Sequence, residues 1–461
     1  MLESSHQYYL ITEENQQRIV SLIKRLIGRK RESWLKKILS QIHSTAMANL
    51  WHFFNKTEKQ LIISLLPSDI NADLLAELDE AERTEILKSK NTEWIVDKLK
   101  SLEPDDTVDI LKGLEKWEAN SIIKKFDKTY SQKIKELMKY PEETAGALMT
   151  SDFMAVIETA TVEKIISQFR KVVEKDELED LHLIFVVNKQ NQFLGYIPLR
   201  KLILEKKNKK ANEIMSPPLV TVQPGLDQEE TARIIQNYDI VSLPVVDDRN
   251  VLLGRITIDD IVDVLEKEAS EDVYKMVGLN KNEKISNTLS TSLKHRIPWL
   301  FVNLFTTSLA AIIVGFFHGT LQKFIILASF MPIVAALGGA TGNQMVAMIV
   351  RGLATGDLNW KKAKWVLFRE INSVIIGSLI IGSLIGFTAY KIENSYILGV
   401  IVASALLLNM IFATITGIAI PFLLKFARQD PAWGSSVLVS ALTDAMGFLI
   451  FLGMAASLLG K

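Results

Sequence analysis

The hydrophobic pattern divides the chain into a long polar front part and an apolar back part. Behind residue 297, five apolar segments are each near or above the roughly 20 residues that a helix needs to cross the hydrocarbon core of a membrane. They span residues 298–317, 324–350, 371–390, 396–424 and 435–459. We therefore predict five membrane helices over residues 298–461.

The polar front part contains two kinds of internal repeat. The stretch LLPSDINADLLAEL recurs as LEPDDTVDILKGL at a period of 37 residues, which indicates stacked helical repeats. Further on, two segments related by a period near 59 residues each combine short apolar strands (LIFVV, LPVV), a turn, a glycine-led strand and a helix. We predict a multidomain protein with an α-helical extension over 1–55, an α-helical repeat domain over 56–146, an α/β repeat pair over 147–267, an acidic connecting helix over 268–297 and the α-helical membrane domain.

Charge refines this organisation. The chain has 53 basic and 53 acidic residues, but residues 291–461 hold 12 basic and 5 acidic ones. Nine Lys and Arg flank the spans on one side and three on the other, which predicts a cytoplasmic N-terminus and an outside C-terminus in the inner (cell) membrane. The N-terminus has no signal-peptide pattern, and the absence of cysteine excludes disulfides and thiolate metal sites.

One carboxylate lies deep in the last apolar segment, SALTDAMGFLIFLGMAASLLG. Burying a charge at this depth costs about 2.5–3.5 kcal/mol, so Asp444 is a candidate functional residue. One interpretation is a structural acid bonded to Thr443 or Ser440. Because no Lys or Arg lies within a span, we favour the other, in which an imported cation pairs with Asp444.

The stretch LGGATGNQ in the second span allows two interpretations. Its three glycines would permit close helix packing. Together with its two amides, they would also suit an opened backbone that lines a polar path. The stretch alone does not decide between the two.

The segment that leads into the first span is strongly acidic, with seven Asp and Glu between residues 259 and 272. On a helix, Asp260, Asp263 and Glu271 fall near one face. An acidic helix is often only a solvated one. Clustered carboxylates also repel one another, and a divalent cation with a preference for oxygen ligands would relieve that repulsion.

The α/β repeats resemble a tandem pair of CBS domains, which often bind adenine nucleotides. In GRITIDD, Thr257 and Asp260 match the residues that hold a ribose, so the resemblance implies ATP or another adenine nucleotide as a ligand. The simpler interpretation is a strand-to-helix turn that Thr257 or Asp259 caps.

In domain order and motifs, residues 61–461 resemble the MgtE family of magnesium channels and transporters. The motifs are PEETAGALMT, MPIVAALGGATGNQMVAMIVRGLATGDL and DPAWGSSVLVSALTDAMGF. The resemblance implies a homodimer in the lipid bilayer, with a pore on the two-fold axis in which Asp444 binds Mg²⁺. It also implies a cytosolic Mg²⁺ sensor formed by Asp105, Asp109, Asp227, Glu229, Asp239, Asp260, Asp263, Glu268, Glu271 and Asp272.

The chain departs from the family pattern at Ala340, Thr414 and Val437, where the family has Asn, Asn and Pro. These departures concern selectivity and the pore wall, and they leave the acidic residues in place.

We therefore expect a magnesium-permeable homodimer that cytosolic Mg²⁺ closes. Two alternatives stay open: a membrane-anchored nucleotide sensor without transport, and a transporter of Mn²⁺, Co²⁺ or Ca²⁺. An enzyme is disfavoured because the six histidines form no spaced metal motif and no nucleophile elbow is present. We expect no nucleic-acid partner.

Overall fold

The computed structural model of the chain describes residues 12–174, 182–280, 283, 289–358 and 360–459. The chain forms two compact units, Met1–Val262 and Asp263–Lys461. The order of elements agrees with the predicted fold class: helices come first, a strand-containing pair follows, and long apolar helices come last. Residues 1–11 of the predicted extension and residues 460 and 461 of the predicted membrane domain lie outside the described residues.

Short helices make up the chain up to residue 148. They are α1 (Glu13–Gly28), α2 (Glu32–Leu39), α3 (Ser44–Leu50), α4 (Lys56–Leu65), α5 (Ser68–Glu77), α6 (Glu80–Ser89), α7 (Thr92–Leu99), α8 (Pro104–Lys112), α9 (Lys116–Ile123), α10 (Lys128–Leu137) and α11 (Ala145–Leu148). The 37-residue repeat marks equivalent helix starts, because Pro67 is the N-cap of α5 and Pro104 is the first residue of α8. Proline suits both positions, because neither the N-cap nor the first residue of a helix donates a backbone hydrogen bond within that helix.

The α/β pair follows. Its elements are β1 (Ala155–Ile157), α12 (Val162–Glu174), β2 (Leu183–Val187), β3 (Phe193–Pro198), α13 (Leu199–Leu204), α14 (Ala211–Ile214), α15 (Gln228–Tyr238), β4 (Ser242–Val246), β5 (Leu252–Thr257) and α16 (Ile258–Met276). Strand β2 pairs with β1 in parallel and with β3 in antiparallel orientation, and β4 pairs with β5 in antiparallel orientation.

The 59-residue period has a structural cause in the two hairpins. Asn191 and Asn250 occupy equivalent turn positions with φ of 64° and 62°, a left-handed conformation that asparagine tolerates. Gly195 and Gly254 follow on β3 and β5, where a Cβ atom would lie 2.3 Å from the Ser216 carbonyl oxygen and 2.6 Å from the Thr150 carbonyl oxygen. Backbone packed this closely leaves room only for glycine.

The acidic segment differs from the predicted connecting helix over 268–297. Helix α16 begins at Ile258, continues through position 267 because no Gly or Pro interrupts it, and ends at Met276. Gly278, with φ of 75°, ends the helix: its N–H bonds the Lys275 carbonyl, and the N–H of Leu279 bonds the Tyr274 carbonyl. Residues 281, 282 and 284–288 of the predicted helix lie outside the described residues.

Among the described residues, five helices of the second unit are long and apolar enough to span a membrane. The helices of this unit after α16 are α17 (Leu289–Phe316), α18 (His318–Lys323), α19 (Ile326–Ala354), α20 (Trp360–Glu393), α21 (Tyr396–Phe426) and α22 (Ser435–Leu459), of which α18 is the short one. Within their apolar windows, 56% of the residues of α21 but only 6% of those of α17 are buried. Helix α21 is therefore central, and α17 is peripheral.

The stretch LGGATGNQ lies inside one continuous helix, α19, so the interpretation as an opened backbone is wrong. Its glycines allow close packing instead. A Cβ atom at Gly417 of α21 would lie 2.7 Å from the carbonyl oxygen of Gly342, and one at Gly342 would lie 2.4 Å from Val439 Cγ1 of α22. Small residues of this kind let membrane helices approach closely.

Candidate functional site

The start of helix α8 brings several carboxylates together. Glu103 is its N-cap, and Asp105 and Asp106 lie in its first turn. The fold places them beside Asp260, in the first turn of α16, closely enough for their charges to interact. We call Glu103, Asp105, Asp106 and Asp260 the acid cluster. Only 8% of Asp105 is exposed, and its Oδ1 atom has no hydrogen-bond partner among the described residues.

Burial and mutual repulsion raise the pKa values of this cluster. Burial raises the pKa of Glu103 to about 7, and the charges of Asp260 and Asp152 add to the effect, against the attraction of Arg255. Burial, then Asp260 and Glu103, raise the pKa of Asp106 to about 7. The pKa of Asp105 also lies well above its ordinary value, for the same reasons. A cation at this position would offset both the cost of burying charged carboxylates and the repulsion between them.

Two of the ten predicted sensor residues, Asp105 and Asp260, lie in this cluster, and a third, Asp109, lies close to it. Asp109 is exposed, and its charge raises the pKa of Asp106 and attracts the guanidinium of Arg83. Glu103 and Asp106 are not among the predicted sensor residues. Their signal is the run EPDDTVD itself, which also contains the predicted residues Asp105 and Asp109.

Three other predicted sensor residues belong to the α/β pair and have evident local roles. Asp227 caps α15, where its Oδ1 accepts hydrogen bonds from the N–H groups of Glu229 (2.9 Å) and Glu230 (3.4 Å). Glu229 is half-buried in the first turn of the same helix. Asp239 ends α15 in a left-handed conformation with φ of 51°. None of the three is among the main charges that shift the pKa values of Glu103, Asp105 and Asp106.

The remaining predicted sensor residues, Asp263, Glu268, Glu271 and Asp272, all lie along α16. Glu271 forms an ion pair with Lys275 one turn later. Within the described residues, no three His, Asp or Glu side chains are arranged to hold a metal ion directly. Mg²⁺ usually keeps several of its water molecules, so a site for the hydrated ion does not require such a direct arrangement.

The two residues that were predicted to hold a nucleotide form a hydrogen bond with each other. Thr257 Oγ1 donates a hydrogen bond of 2.5 Å to Asp260 Oδ2, and the Thr257 N–H donates to the same oxygen at 3.4 Å, so both side chains are engaged within the strand-to-helix turn. Neither residue lines the cleft of about 190 Å³ in the α/β pair. That cleft is lined mainly by apolar residues of both repeats, among them Phe185, Tyr196 and Leu219, and it also includes Asp239 and Ser242. The buried Oγ of Ser242 has no partner among the described residues.

In the second unit, Asp444 is half-buried in the middle of α22. The structural interpretation of this acid assigned its bond to Thr443 or Ser440. Both hydroxyls have other partners, since Thr443 Oγ1 donates to the Ser440 carbonyl oxygen and Ser440 Oγ accepts from Asn343 Nδ2 at 3.3 Å. Over the described residues, the Asp444 carboxylate takes part in no hydrogen bond or ion pair.

Asn343, Ser440 and Asp444 form a short polar stripe. Ser440 and Asp444 are four residues apart on α22 and so lie on one face, and Asn343 reaches Ser440 from α19. Asn343 Oδ1 is buried and has no partner in the described part of the chain. Two oxygen-bearing side chains are thus available close together: Asn343, which contacts Ser440, and Asp444, one turn further along α22.

Comparison with known protein families assigns most of the chain. A family described as the MgtE divalent cation transporter matches residues 331–454, the MgtE intracellular N domain matches residues 42–143, and CBS domains match residues 145–207 and 211–267. The chain is 30% identical to the magnesium transporter MgtE of Bacillus subtilis, over 92% of this chain and 93% of that protein. It is 31% identical to that of Thermus thermophilus, over 92% and 95% respectively.

Two solved structures resemble the front part of the chain. One is the cytosolic domain of the Mg²⁺ channel MgtE in complex with ATP, with 29% identity, a TM-score of 0.51 and coverage of 53% of this chain and 99% of that structure. The other is the soluble part of a magnesium transporter, with 26% identity, a TM-score of 0.50 and coverage of 55% and 99%.

Proposed function

The chain belongs to the MgtE family of magnesium transporters, and we propose that it carries Mg²⁺ across a membrane along a path that includes Asp444. It is a multi-pass membrane protein with five candidate spans. The observation that carries the proposal is the position of Asp444. A half-buried carboxylate without a protein partner in an apolar helix is costly unless a cation is its partner.

The polar stripe fits a hydrated ion. Mg²⁺ releases its water reluctantly, so a carboxylate and an amide oxygen that act through water hold it more easily than an all-protein cage does. Such binding is strong enough for entry and weak enough for release. We propose that a second copy of the chain presents its own Asp444 across a two-fold axis and doubles this charge, as in the homodimer that the family resemblance implies.

We further propose that cytosolic Mg²⁺ closes the path by binding at the acid cluster. The support is the raised pKa of Glu103 and Asp106, both about 7, because it reflects negative charge that the local protein environment does not neutralise. A divalent cation would stabilise the contact between α8 and the start of α16. Without the cation, repulsion between carboxylates would loosen it.

The test is Mg²⁺ uptake by purified protein in liposomes. Asp444→Asn keeps the shape of the side chain and removes its charge, so we expect uptake to collapse to background, and Asp444→Glu should impair it more mildly. Glu393→Gln, which removes an exposed acid at the end of α20, is the matched control and should transport like the unaltered protein. Normal uptake by a folded Asp444→Asn protein would refute the proposal.

Competition in the same assay addresses the cation. Mn²⁺, Co²⁺ and Ca²⁺ differ from Mg²⁺ in size and in how readily they lose water. If the hydrated ion is recognised, Mg²⁺ uptake should persist in an equal concentration of Ca²⁺. Preferential uptake of one of the other ions would reassign the substrate and leave the role of Asp444 in place.

A second proposal is that the cleft of the α/β pair holds the adenine ring of a nucleotide. It is supported by the aromatic and aliphatic lining and by the relative whose cytosolic domain was solved with ATP. Leu219→Glu places a charge in the cleft and should weaken ATP binding measured by calorimetry, while Leu204→Glu, at another exposed leucine, should not. Equal ATP affinity of the two variants would exclude the cleft.

A further inference from the structure

The ammonium of Lys275 lies between two carboxylates near the end of α16. Its Nζ atom is 2.5 Å from Asp430 Oδ2, in the loop that precedes α22, and it also forms an ion pair with Glu271. Only 24% of the Lys275 side chain and 14% of that of Glu271 are exposed. Partial burial reduces screening by water, so these pairs hold their partners more firmly than surface ion pairs do.

The backbone joins the same elements. The N–H of Gly434, the last residue before α22, donates a hydrogen bond of 2.8 Å to the Lys275 carbonyl oxygen. That oxygen also accepts the bond from Gly278 that ends α16. The end of one helix and the start of another therefore share a single acceptor atom.

An aromatic wedge from α17 completes the junction. The ring of Trp299 packs against Gly278 and Gly434, where an added Cβ atom would lie 2.6 Å and 2.3 Å from ring carbons. The ring of Trp433 meets Trp299 edge-on, with centroids 5.5 Å apart and an interplanar angle of 68°. We call Lys275, Gly278, Trp299, Asp430 and Gly434 the α16–α22 junction.

The junction fixes the base of the helix that carries Asp444. Helix α22 starts at Ser435, directly after Gly434, and continues without interruption past Asp444. A helix is stiff over this length, so a shift of the α16 end is passed along α22 to its carboxylate. The three charges sum to −1, but the ammonium contacts both carboxylates directly and lies between them, so their mutual repulsion is reduced without a divalent cation.

We propose that Lys275 is a positioning residue whose ammonium holds the end of α16 to the base of α22 without a divalent cation. Glu271 is then an ion-pair partner and not a Mg²⁺ ligand, which removes it from the sensor that the family resemblance implies. Any effect of Lys275 on transport rests on the function proposed above, whereas the structural link between α16 and α22 does not. Burial disfavours the charged form of Lys275, but the hydrogen bonds and negative charges of Asp430 and Glu271 outweigh this effect and raise the pKa of Lys275. The ion pairs therefore persist at neutral pH.

The experiment measures the link directly in the full chain. The protein has no cysteine, so Val273→Cys on α16 and Gln429→Cys beside Asp430 give one pair of spin labels at exposed positions. Labelled chains are diluted with unlabelled ones in nanodiscs, and the distance distribution is measured by electron paramagnetic resonance in chelator and in excess Mg²⁺. We expect one narrow distribution that is the same in both conditions.

Variants then identify the group responsible. Lys275→Met keeps an unbranched side chain one atom shorter and removes the charge, and it should broaden the distribution in chelator. Asp430→Asn should do the same while it leaves Lys275 in place, and it keeps the test valid if Lys275→Met does not fold. Lys267→Met, at an exposed lysine of the same helix, is the matched control and should leave the distribution narrow.

Two results would overturn the proposal. One is a distribution in the Lys275→Met and Asp430→Asn proteins that equals that of the control. The other is a link that becomes narrow only when Mg²⁺ is added to the otherwise unaltered chain. Liposome uptake by the same proteins tests the transport function separately. If the protein shows a narrow distance distribution but no uptake, the transport function is refuted and the proposal for Lys275 is not.

Discussion

At the scale of single residues, Asn409 on α21 is a fully buried polar residue of the membrane unit. Its Nδ2 donates a hydrogen bond of 3.0 Å to the Val334 carbonyl oxygen of α19. Gly338 and Gly447, on α19 and α22, flank it so closely that a Cβ atom would lie 2.2 Å and 2.6 Å from Nδ2. One amide therefore sets the spacing of three helices.

This contact predicts different outcomes for two glycines of α22. In Gly447→Ala the new methyl group has no space, and we expect a loss of about 1–3 kcal/mol of stability through overpacking. In Gly453→Ala the nearest atom is Phe317 Cζ at 3.9 Å, an ordinary contact, and no loss is expected. Thermal unfolding of both variants in detergent compares them, and equal midpoints would contradict the role of Asn409.

Individual residues could be predicted from the sequence where the apolar background made them conspicuous. Asp444 stands out because it is the one acid in a long apolar segment. Asn409 lies in an equally apolar segment and was missed, because its significance depends on two glycines more than 30 residues away on other helices. Glu103 and Asp106 were missed because they differ from solvated acids only in their burial. A run of acids in the sequence does not reveal which of its members are buried.

At the scale of elements, the acid cluster depends on two helix starts, those of α8 and α16. Negative charge on Glu103 and Asp106 opposes the contact between the starts of α8 and α16, and protonation of the two residues removes that charge. The pKa of both residues is about 7 in the folded chain, against ordinary values of 4.5 and 3.8. The folded chain therefore binds more protons than the unfolded chain between about pH 4 and 7, so stability falls as pH rises through this window.

We expect the thermal midpoint of the front part, in chelator, to drop between pH 5 and pH 7.5 and to recover at pH 7.5 when Mg²⁺ is added. The double variant Glu103→Gln/Asp106→Asn should lose most of this pH dependence. Glu142→Gln, an exposed acid outside the cluster, should keep it. A double variant with an unchanged pH profile would show that other groups are responsible.

Elements were more predictable than their contacts. The five predicted spans overlap α17, α19, α20, α21 and α22, because length and hydropathy define a span locally. The predicted domain boundary at position 267 follows a change in composition, whereas helix α16 crosses that position because helix-forming residues continue across it. The meeting of α8 with α16 was implied only by the family resemblance and not by the residue pattern, since residues more than 150 positions apart come together only through the packing of the intervening domain.

At the scale of the whole molecule, the distribution of basic residues predicts the orientation in the membrane. Lys361 lies at the start of α20 and Glu393 at its end, and both side chains are exposed. With the N-terminus in the cytoplasm, Lys361→Cys should resist a membrane-impermeant maleimide applied to intact cells, and Glu393→Cys should react. Because the chain has no other cysteine, the labels are unambiguous, and the reverse pattern would invert the orientation.

The length of α20 has a consequence for the surroundings of the protein. Its 34 residues extend over about 51 Å, whereas the hydrocarbon core is about 30 Å thick. The helix must tilt or protrude, and Lys361, Lys362 and Lys364 at its start then lie among the lipid headgroups. Anionic lipids attract each such charge by about 1 kcal/mol. Because α20 packs against α21 through Gly386 and Gly399 without intervening side chains, headgroup charge and ionic strength act on the same helix bundle that holds Asp444.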